Sequence, residues 1–304
     1  MSAVAASGAR RRRDVASLVL RVWSIMVFAF LFLPILVIVV YSFNNGRAML
    51  IWTGVGLNGY RTGTTDPTIL NAVKTSIVAA AGTALIATVL GSFAGIALAR
   101  RKGKWTVLFL ALVFLILVTP EIVDAIALLI WYVRLGGPFG PKITIPAVSY
   151  GMLRLWAGHS LFATAVVTLI VRARLQGLEE TLEEAAADLY ASPSRRFRQI
   201  TLPLMFPAVL AGALLAFAFS LDDTIISSFV SVAGASPWPV YVFSAVRNVL
   251  RPEIASVSTL LLMLTLIAMI MGTVAGFGLF AIAIRAIVRV SRRITLPPVA
   301  EEAV

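Results

Sequence analysis

Long runs of apolar residues constrain this chain more than any other feature of its sequence. A helix that crosses a bilayer needs about 20 predominantly apolar residues. Six stretches reach that length, near 17–43, 70–99, 106–133, 147–171, 204–232 and 254–284. Because lipid offers no hydrogen-bond partners, backbone groups must be satisfied within each segment, so every span is predicted to be a helix. The sequence therefore predicts an all-α membrane protein, a six-transmembrane-helix bundle.

The composition excludes a soluble domain. Hydrophobic residues make up 60% of the chain, charged residues 13%, and the mean hydropathy is +0.95. A pI near 11.0 would suggest nucleic-acid binding in a soluble protein. In a membrane protein it indicates basic residues collected at the cytoplasmic ends of the spans. The chain has no cysteine, which excludes disulfide and thiol-metal chemistry.

The positions of Lys and Arg predict the orientation of the bundle. Eighteen of the 26 basic residues lie in the N-terminal arm and first turn of span 1, the loop between spans 2 and 3, the region between spans 4 and 5, and the tail. The positive-inside rule places these segments, and therefore both termini, in the cytoplasm. Span 1, of roughly 27 residues, exceeds the apolar core of a signal peptide and is predicted to be an uncleaved anchor. The predicted parts are a basic arm (1–16), a transmembrane domain (17–288) and a cytoplasmic tail (289–304).

A long polar segment separates spans 4 and 5. Residues 178–203 read LEETLEEAAADLYASPSRRFRQITLP. We expect a helix that ends near Ser192-Pro193, with Ser194 capping a basic turn over 195–198 and Pro203 opening the next span. The acidic flank of this helix disfavours an anionic lipid surface, so its apolar stripe is expected to dock on a partner protein. At helical period the stripe is Leu178, Leu182, Ala185 and Leu189, and the flank is Glu180, Glu184 and Asp188.

Two spans carry acidic residues inside their apolar runs. Pro120 is predicted to kink span 3, and Glu121 and Asp124 follow it on one face. Span 5 carries Asp222 and Asp223, which would point roughly 100° apart on a continuous helix. One is therefore expected to face a path, while the other caps a helix end, pairs or meets headgroup water. Along straight helices, Glu121 lies about 22 Å and the span 5 acids about 28 Å from the cytoplasmic ends, near the outer face. Acids within spans usually face the bundle interior and mark a substrate or ion path.

Two interpretations of these four acids are open. In one they line a cavity whose negative charge attracts cations. In the other they pair with Arg134 or Arg154, or lie in the outer water layer. The cavity interpretation is favoured, because broken helices occur at depth where they line cavities. Aromatic residues at the same outer level are expected to supply walls for the path: Trp131 and Tyr132, with Tyr150 and Trp156 nearby.

The other intramembrane features have structural interpretations. His159, the only histidine, is predicted to be a satisfied structural residue. Span 2 is rich in small residues, which allow transmembrane helices to approach closely, so its predicted role is packing. Gly272 and Gly276 in span 6 are predicted to form a helix contact for the same reason.

Glu184-Ala185-Ala186, followed by Ile200, Leu202 and Pro203, resembles the EAA loop of permease subunits in bacterial ABC importers. The resemblance implies a type I importer bundle whose loop 178–203 fits a cleft on a cytoplasmic ATPase and passes nucleotide-driven closure to the membrane helices. One position departs from the family pattern. Tyr190 stands where the family has glycine, so the tight turn that glycine permits must be made otherwise.

Three further segments resemble the second permease subunit of the spermidine/putrescine transporters: Tyr41-Ser42-Phe43-Asn44, Pro120 to Ile126, and Ser220 to Asp223 continuing through Ser228-Phe229. The resemblance implies a polyamine path in a bacterial inner membrane. It also implies as partners a second permease subunit forming a heterodimer, two ATPase copies and a substrate-binding protein. This chain is expected to bind no cofactor, with ATP and Mg²⁺ used by the ATPase.

Three alternatives remain beside the polyamine importer. The EAA loop is shared by importers of ferric iron, thiamine and aminophosphonates. Intramembrane acids alone would allow a proton-coupled secondary transporter. An enzyme is disfavoured, since the chain has a single histidine and no pairing of a nucleophile with a base. ATP hydrolysis by this chain is excluded as well, because Gly103-Lys104 is followed by Trp105 and has no upstream Walker glycine.

The predicted topology can be tested with single cysteines, since the chain has none of its own. We expect a cysteine at Ser194 to resist an impermeant thiol reagent in intact cells, because the charge bias places the 178–203 loop inside. A cysteine at Thr62, in the predicted outer loop, should react. Labelling of the Ser194 site together with protection of the Thr62 site would show that the orientation is the reverse of the predicted one.

Overall fold

The computed structural model describes residues 2–49, 51–134, 149–178, 181–247 and 250–293. The regular elements within these ranges are helical, apart from two isolated bridges. The helices are α1 (Ser2–Tyr41), α2 (Asn58–Gly63), α3 (Pro67–Arg100), α4 (Lys104–Val118), α5 (Glu121–Arg134), α6 (Tyr150–Gln176), α7 (Thr181–Asp188), α8 (Pro193–Arg196), a π turn (Phe197–Thr201), α9 (Leu202–Asp222), α10 (Ile225–Val230), α11 (Trp238–Val246) and α12 (Pro252–Arg293).

The lengths and hydropathies of these helices confirm the all-α membrane fold. Within the described residues, five helical segments are long and apolar enough to span a bilayer: Ser17–Tyr41, Pro67–Arg100, Tyr150–Gln176, Pro193–Asp222 and Pro252–Ile282. The consecutive helices α4 and α5 form a sixth span if they are counted together, although they meet at an angle of 102°. The six predicted stretches therefore correspond to five helical spans and one sharply bent pair.

The chain divides into two compact units, of which Met1–Asp66 with Asn248–Leu262 form the first. This unit is organised around Asn44, which is fully buried. Its side-chain oxygen accepts hydrogen bonds from the backbone N–H groups of Gly46 and Thr53, at 3.1 and 3.2 Å. Its amide nitrogen donates to the carbonyl of Ile51 at 2.8 Å. The side-chain amide of Asn44 therefore supplies hydrogen-bond partners for backbone groups of a loop that has almost no regular structure of its own.

The second unit, Pro67–Arg247 with Met263–Val304, has α3, α6 and α9 at its centre. Small residues on α3 allow close approach, because a Cβ on Gly95 would lie 2.8 Å from the carbonyl oxygen of Thr168 on α6. Gly212 on α9 meets Val167 of α6 in the same way, at 3.2 Å. The predicted packing role of the second span is confirmed.

The glycines of α12 form the helix contact that their spacing predicted. A Cβ on Gly272 would lie 3.1 Å from the side chain of Leu214, and one on Gly276 would collide with Leu210. Both leucines belong to α9. A Cβ on Gly278, two residues further along, would meet no atom within 4 Å. The pair at 272 and 276 is therefore a packing surface, while Gly278 is free of such contacts.

The helical run that contains α8 and α9 differs from the sequence-based expectation at Pro193 and at Pro203. Pro193 is the first helical residue of α8, and Ser192, not Ser194, occupies the N-cap position. Pro203 does not open a new span, since the run continues from Pro193 to Asp222. A π turn over Phe197–Thr201 immediately precedes Pro203, whose missing N–H would interrupt an α-helical hydrogen-bond ladder.

A matched pair of glycine substitutions tests the packing of α3. Gly95→Ala places a methyl group against a backbone carbonyl that cannot rotate away, so we expect a loss of about 1–3 kcal/mol in the free energy of unfolding. Gly278→Ala adds the same methyl group in open space, and the higher helix propensity of alanine should leave stability unchanged or raise it by up to about 1 kcal/mol. Thermal unfolding of the purified transporter measures both. Equal effects of the two substitutions would contradict close packing at Gly95.

Candidate functional sites: an acidic cavity and the loop between α6 and α8

Two breaks in the helices of the second unit face one cavity of about 720 Å³. One break lies between α4 and α5, and the other lies between α9 and α10. Helix α6 closes the cavity from a third side. The lining residues are Thr119, Glu121, Asp124, His159, Leu161, Phe162, Ala218, Phe219, Ser220, Asp222, Asp223, Thr224, Ile225 and Ile226. All four acidic residues that the sequence singled out therefore lie around one space.

The first break follows from Pro120. Its ring excludes the preceding residue from the α region, and Thr119 has φ −63° and ψ 130°, which is extended backbone. Helix α4 ends there, with the Thr119 hydroxyl donating to the carbonyl of Leu115 at 2.7 Å. Helix α5 begins at Glu121 and carries Glu121 and Asp124 in its first turn, where the helix dipole favours negative charge.

The size of this break corrects the depth estimate made from the sequence. That estimate assumed a straight helix through residue 120, in which Glu121 lies about 22 Å from the cytoplasmic end. The chain instead turns by 102° between α4 and α5. Glu121 therefore marks a change of direction of the helix, so distance along the chain no longer measures its depth.

The second break occurs where α9 ends at Asp222. Asp223 is extended, with φ −62° and ψ 111°, and its carboxylate accepts a hydrogen bond of 3.0 Å from the backbone N–H of Ser227 in α10. Asp223 thus caps the short helix that follows it. The expectation that one of the two acids caps a helix is met by Asp223. The two residues do not lie on a continuous helix, however, and both line the cavity. Which of them faces a path stays a prediction.

In the described part of the chain, no Lys or Arg nitrogen lies within 4.0 Å of the carboxylate oxygens of the four acids. Glu121 follows the first break and Asp223 lies at the second, so each break places a carboxylate at the cavity. The alternative pairing with Arg154 is not formed. The guanidinium of Arg154 lies over the ring of Tyr132, 4.5 Å from its centroid. Arg134 is exposed and makes no such pair.

His159 fixes the back wall of the cavity. It is 3% exposed, and its Nδ1 lies 2.7 Å from the hydroxyl of Ser220 on α9. Its Nε2 lies 2.9 Å from the hydroxyl of Ser227 on α10 and 3.8 Å from Asp223. The prediction of a satisfied structural histidine is confirmed. Its position bridging the α9–α10 break was missed, since no sequence spacing links His159 to two serines some 60 residues away.

The aromatic side chains that line the cavity are not those expected from the sequence. Tyr132 is buried in an apolar cluster, and Trp131 stacks on it with ring centroids 6.2 Å apart. Neither lines the cavity, and their predicted role in the path stays a prediction. Phe162 and Phe219 line it instead and meet edge to face at 5.5 Å. A helical projection could have found Phe162, which lies three residues after His159 on the same face of α6.

The loop between α6 and α8 is tied to the ends of two long helices. Glu183 forms an ion pair with Arg100 at the end of α3. The hydroxyl of Thr201, just before α9, donates to the same carboxylate at 2.6 Å. Nothing in the sequence indicates this role for Glu183, since Glu184 is the acid of the recognised motif.

The residues predicted to dock on an ATPase lie in two places. Glu184 and Ala185 on α7 are exposed, and Ala186 is half-buried. The others lie where the π turn joins α9: Ile200, Leu202 and Pro203.

Tyr190 makes the turn at the end of α7 itself. Its φ is +58°, the left-handed conformation that glycine adopts without cost and that costs other residues about 1–3 kcal/mol. The backbone N–H of Ala191 donates to the carbonyl of Ala186 at 3.0 Å, and that of Tyr190 donates to Ala187 at 2.9 Å. This is the Schellman pattern with tyrosine at the glycine position. The expectation that the turn must be made otherwise is wrong. Glu180 in this loop lies outside the described residues.

Comparison with known proteins identifies a matching family and several similar proteins. The family described as "Binding-protein-dependent transport system inner membrane component" matches residues 87–294. The putrescine transport system permease protein PotI of Escherichia coli (strain K12) is 38% identical over 245 residues, covering 79% of this chain and 85% of that protein. The spermidine/putrescine transport system permease protein PotC of Haemophilus influenzae is 34% identical over 241 residues, covering 79% and 90%.

Two solved structures share the fold. A chain of a bacterial ABC transporter involved in the import of alginate superposes with a TM-score of 0.68 at 13% identity, covering 94% of this chain and 98% of that chain. A chain of the MetNI methionine ABC transporter superposes with a TM-score of 0.55 at 16% identity, covering 72% and 99%. The resemblance predicted from the sequence is confirmed. This chain belongs to the family of binding-protein-dependent transport system inner membrane components.

Proposed function

We propose that this chain is the permease subunit of an ATP-driven importer and that polyamines are its cargo. The observation that carries the proposal is the meeting of four acidic residues, from two broken helices, around one cavity. Relatives named as putrescine and spermidine/putrescine permeases support the choice of cargo. An anionic substrate such as an aminophosphonate would be repelled by the same carboxylates.

The chemistry of the cavity suits an alkyl chain that carries ammonium groups. Carboxylates accept charge-assisted hydrogen bonds from ammonium N–H donors. Phe162 and Phe219 offer apolar surface to the methylene segments and ring faces to the cations. The volume of about 720 Å³ lies within the range typical of small-molecule sites, which is about 300–1,000 Å³.

Like charges around one cavity make the binding of a cation favourable, because it relieves their mutual repulsion. Glu121 and Asp223 both line the cavity, so an ammonium group bound there is attracted by carboxylates from both breaks. A transporter must also release its cargo. Glu121 and Asp222 are exposed, and water around them moderates the attraction that Asp223 alone, 8% exposed, would exert.

The loop 178–203 is proposed to dock on a separate ATPase. Its exposed helix α7 presents Glu184 and Ala185 outward, while Glu183 ties the loop to α3 and to the start of α9. A movement of α7 would therefore be passed to the base of α9, whose other end reaches the cavity at Ser220 to Asp223. ATP and Mg²⁺ belong to the ATPase in this scheme, and this chain binds no cofactor.

The proposed assembly contains this chain, a second and different permease subunit, two copies of the ATPase, and a binding protein that delivers the polyamine. The family description supports an inner-membrane location. Both termini are proposed to lie in the cytoplasm, on the side of the ATPase, because the basic residues cluster there.

The docking role is tested by reversing a charge on α7. Glu184→Arg should abolish co-purification of the ATPase and lower uptake by at least about tenfold, which corresponds to about 1.4 kcal/mol of lost interaction. The amount of permease in the membrane should stay the same, since Glu184 is exposed. The control is Lys102→Glu, an exposed charge reversal in the turn between α3 and α4, which should leave both measurements unchanged. Normal uptake by the Glu184 variant would show that α7 is not the docking element.

The cation path is tested by removing single carboxylates. Glu121→Gln, Asp124→Asn and Asp222→Asn each remove a Coulomb attraction of about 1 kcal/mol per substrate charge at 4 Å in water. Uptake of the trivalent spermidine should therefore fall roughly fivefold more than uptake of the divalent putrescine.

Glu253→Gln serves as the control, because Glu253 belongs to the first unit and does not line the cavity. Its spermidine-to-putrescine uptake ratio should equal that of the unaltered transporter. Uptake is expressed per folded transporter in every variant. An equal loss for both amines, in proportion to protein amount, would remove the acids from the path.

A further inference from the structure

The turn that ends α7 places a bulky residue where the backbone favours glycine. Tyr190 is the non-glycine residue with positive φ in the described part of the chain. Glycine would close the same Schellman turn without strain. The backbone conformation of the turn therefore does not favour a tyrosine at position 190, and we look to the side chain for its role.

The ring of Tyr190 finds no compensating contact within the described chain. The residue is 97% exposed, and the preceding Leu189 is 82% exposed. No aromatic stacking or side-chain hydrogen bond involves Tyr190 in the described residues. The strained turn thus presents a tyrosine and a leucine side by side, both projecting away from the fold.

The surroundings of this pair favour a protein pocket over lipid. The loop lies between two membrane-spanning helices, and exposed Glu184 and Asp188 precede the pair on α7, which disfavours an anionic lipid surface. Lipid chains adapt to any side-chain direction, so they gain nothing from a fixed and strained backbone. A shaped pocket does gain, because an aromatic side chain that is already oriented loses little entropy on binding.

We propose that Tyr190 and Leu189 form an anchor that fills an apolar pocket on the ATPase subunit. This inference rests on the proposed docking of the loop and adds to it the residues that supply the affinity. Tyrosine is enriched among the few side chains that dominate the energy of protein interfaces. Under this proposal Glu184 and Ala185 form part of the surface that contacts the ATPase, and Tyr190 and Leu189 supply most of the binding energy.

The test separates strain from function by replacing Tyr190 with residues that keep the turn. Tyr190→Gly and Tyr190→Asn both accept the left-handed conformation and both remove the ring. In the assembled transporter in nanodiscs, each should weaken ATPase binding by about tenfold or more. The unfolding temperature of the permease, measured without the ATPase, should stay equal or rise, because the strain in the turn is relieved. Tyr190→Phe, which keeps the ring, should bind the ATPase within about twofold of the unaltered protein.

Glu184→Arg in the same assay distinguishes the two proposals. If it abolishes ATPase binding while Tyr190→Gly binds normally, the anchor is wrong and the docking assignment stands. If both variants bind normally, the docking assignment fails as well. A fall in the unfolding temperature of the Tyr190→Gly permease measured without the ATPase would also overturn the anchor, because the ring would then serve the fold.

The substitution Tyr190→Cys allows one further test, which asks whether the ATPase or lipid surrounds this position. The chain has no cysteine of its own, so a label attaches at residue 190 alone. An environment-sensitive fluorophore on that cysteine should shift to the blue when the ATPase is added at a concentration high enough to offset the weaker binding caused by loss of the ring. A blue shift in nanodiscs before the ATPase is added would assign the pair to lipid and overturn the proposal.

Discussion

A helix that breaks inside a membrane protein leaves backbone groups that lipid cannot satisfy, and the structure around the cavity depends on how this chain meets that constraint. At the first break Pro120 has no N–H to satisfy, and Thr119 uses its hydroxyl and its N–H on the carbonyl of Leu115. At the second break the Asp223 carboxylate accepts the N–H of Ser227. The acidic residue at the second break therefore serves the backbone as well as the cavity.

The breaks lie beside a closely packed core formed by α3, α6 and α9. Gly95 and Gly212 bring α3 and α9 against α6, and the buried valines of α6 fill the space between them. Helix α6 in turn carries His159, whose two ring nitrogens reach serines on each side of the second break. A neutral imidazole has one donor and one acceptor, which matches two hydroxyl groups. The close packing of small residues thus fixes the position of the polar network that shapes the cavity.

In the loop between α6 and α8, two adjacent acidic residues have different roles. Glu183 is used inside the protein, on Arg100 and Thr201, while its neighbour Glu184 faces outward. Adjacent residues on a helix point in different directions, so one acid holds the loop and the other is available to a partner. At its end the loop places Tyr190 in the left-handed conformation, which strains a residue that carries a side chain.

The sequence by itself determined the class of this protein, because apolar length and charge bias act locally and need no knowledge of packing. It predicted the six apolar stretches, the break at Pro120, the small-residue contacts and the four acids. Tertiary structure alone decided the 102° bend, the capping by Asp223, the bridge made by His159 and the aromatic wall of Phe162 and Phe219. These features depend on side chains far apart in the chain or on the exact point where a helix stops. Helical periodicity cannot report either of them, since it assumes that the helix continues.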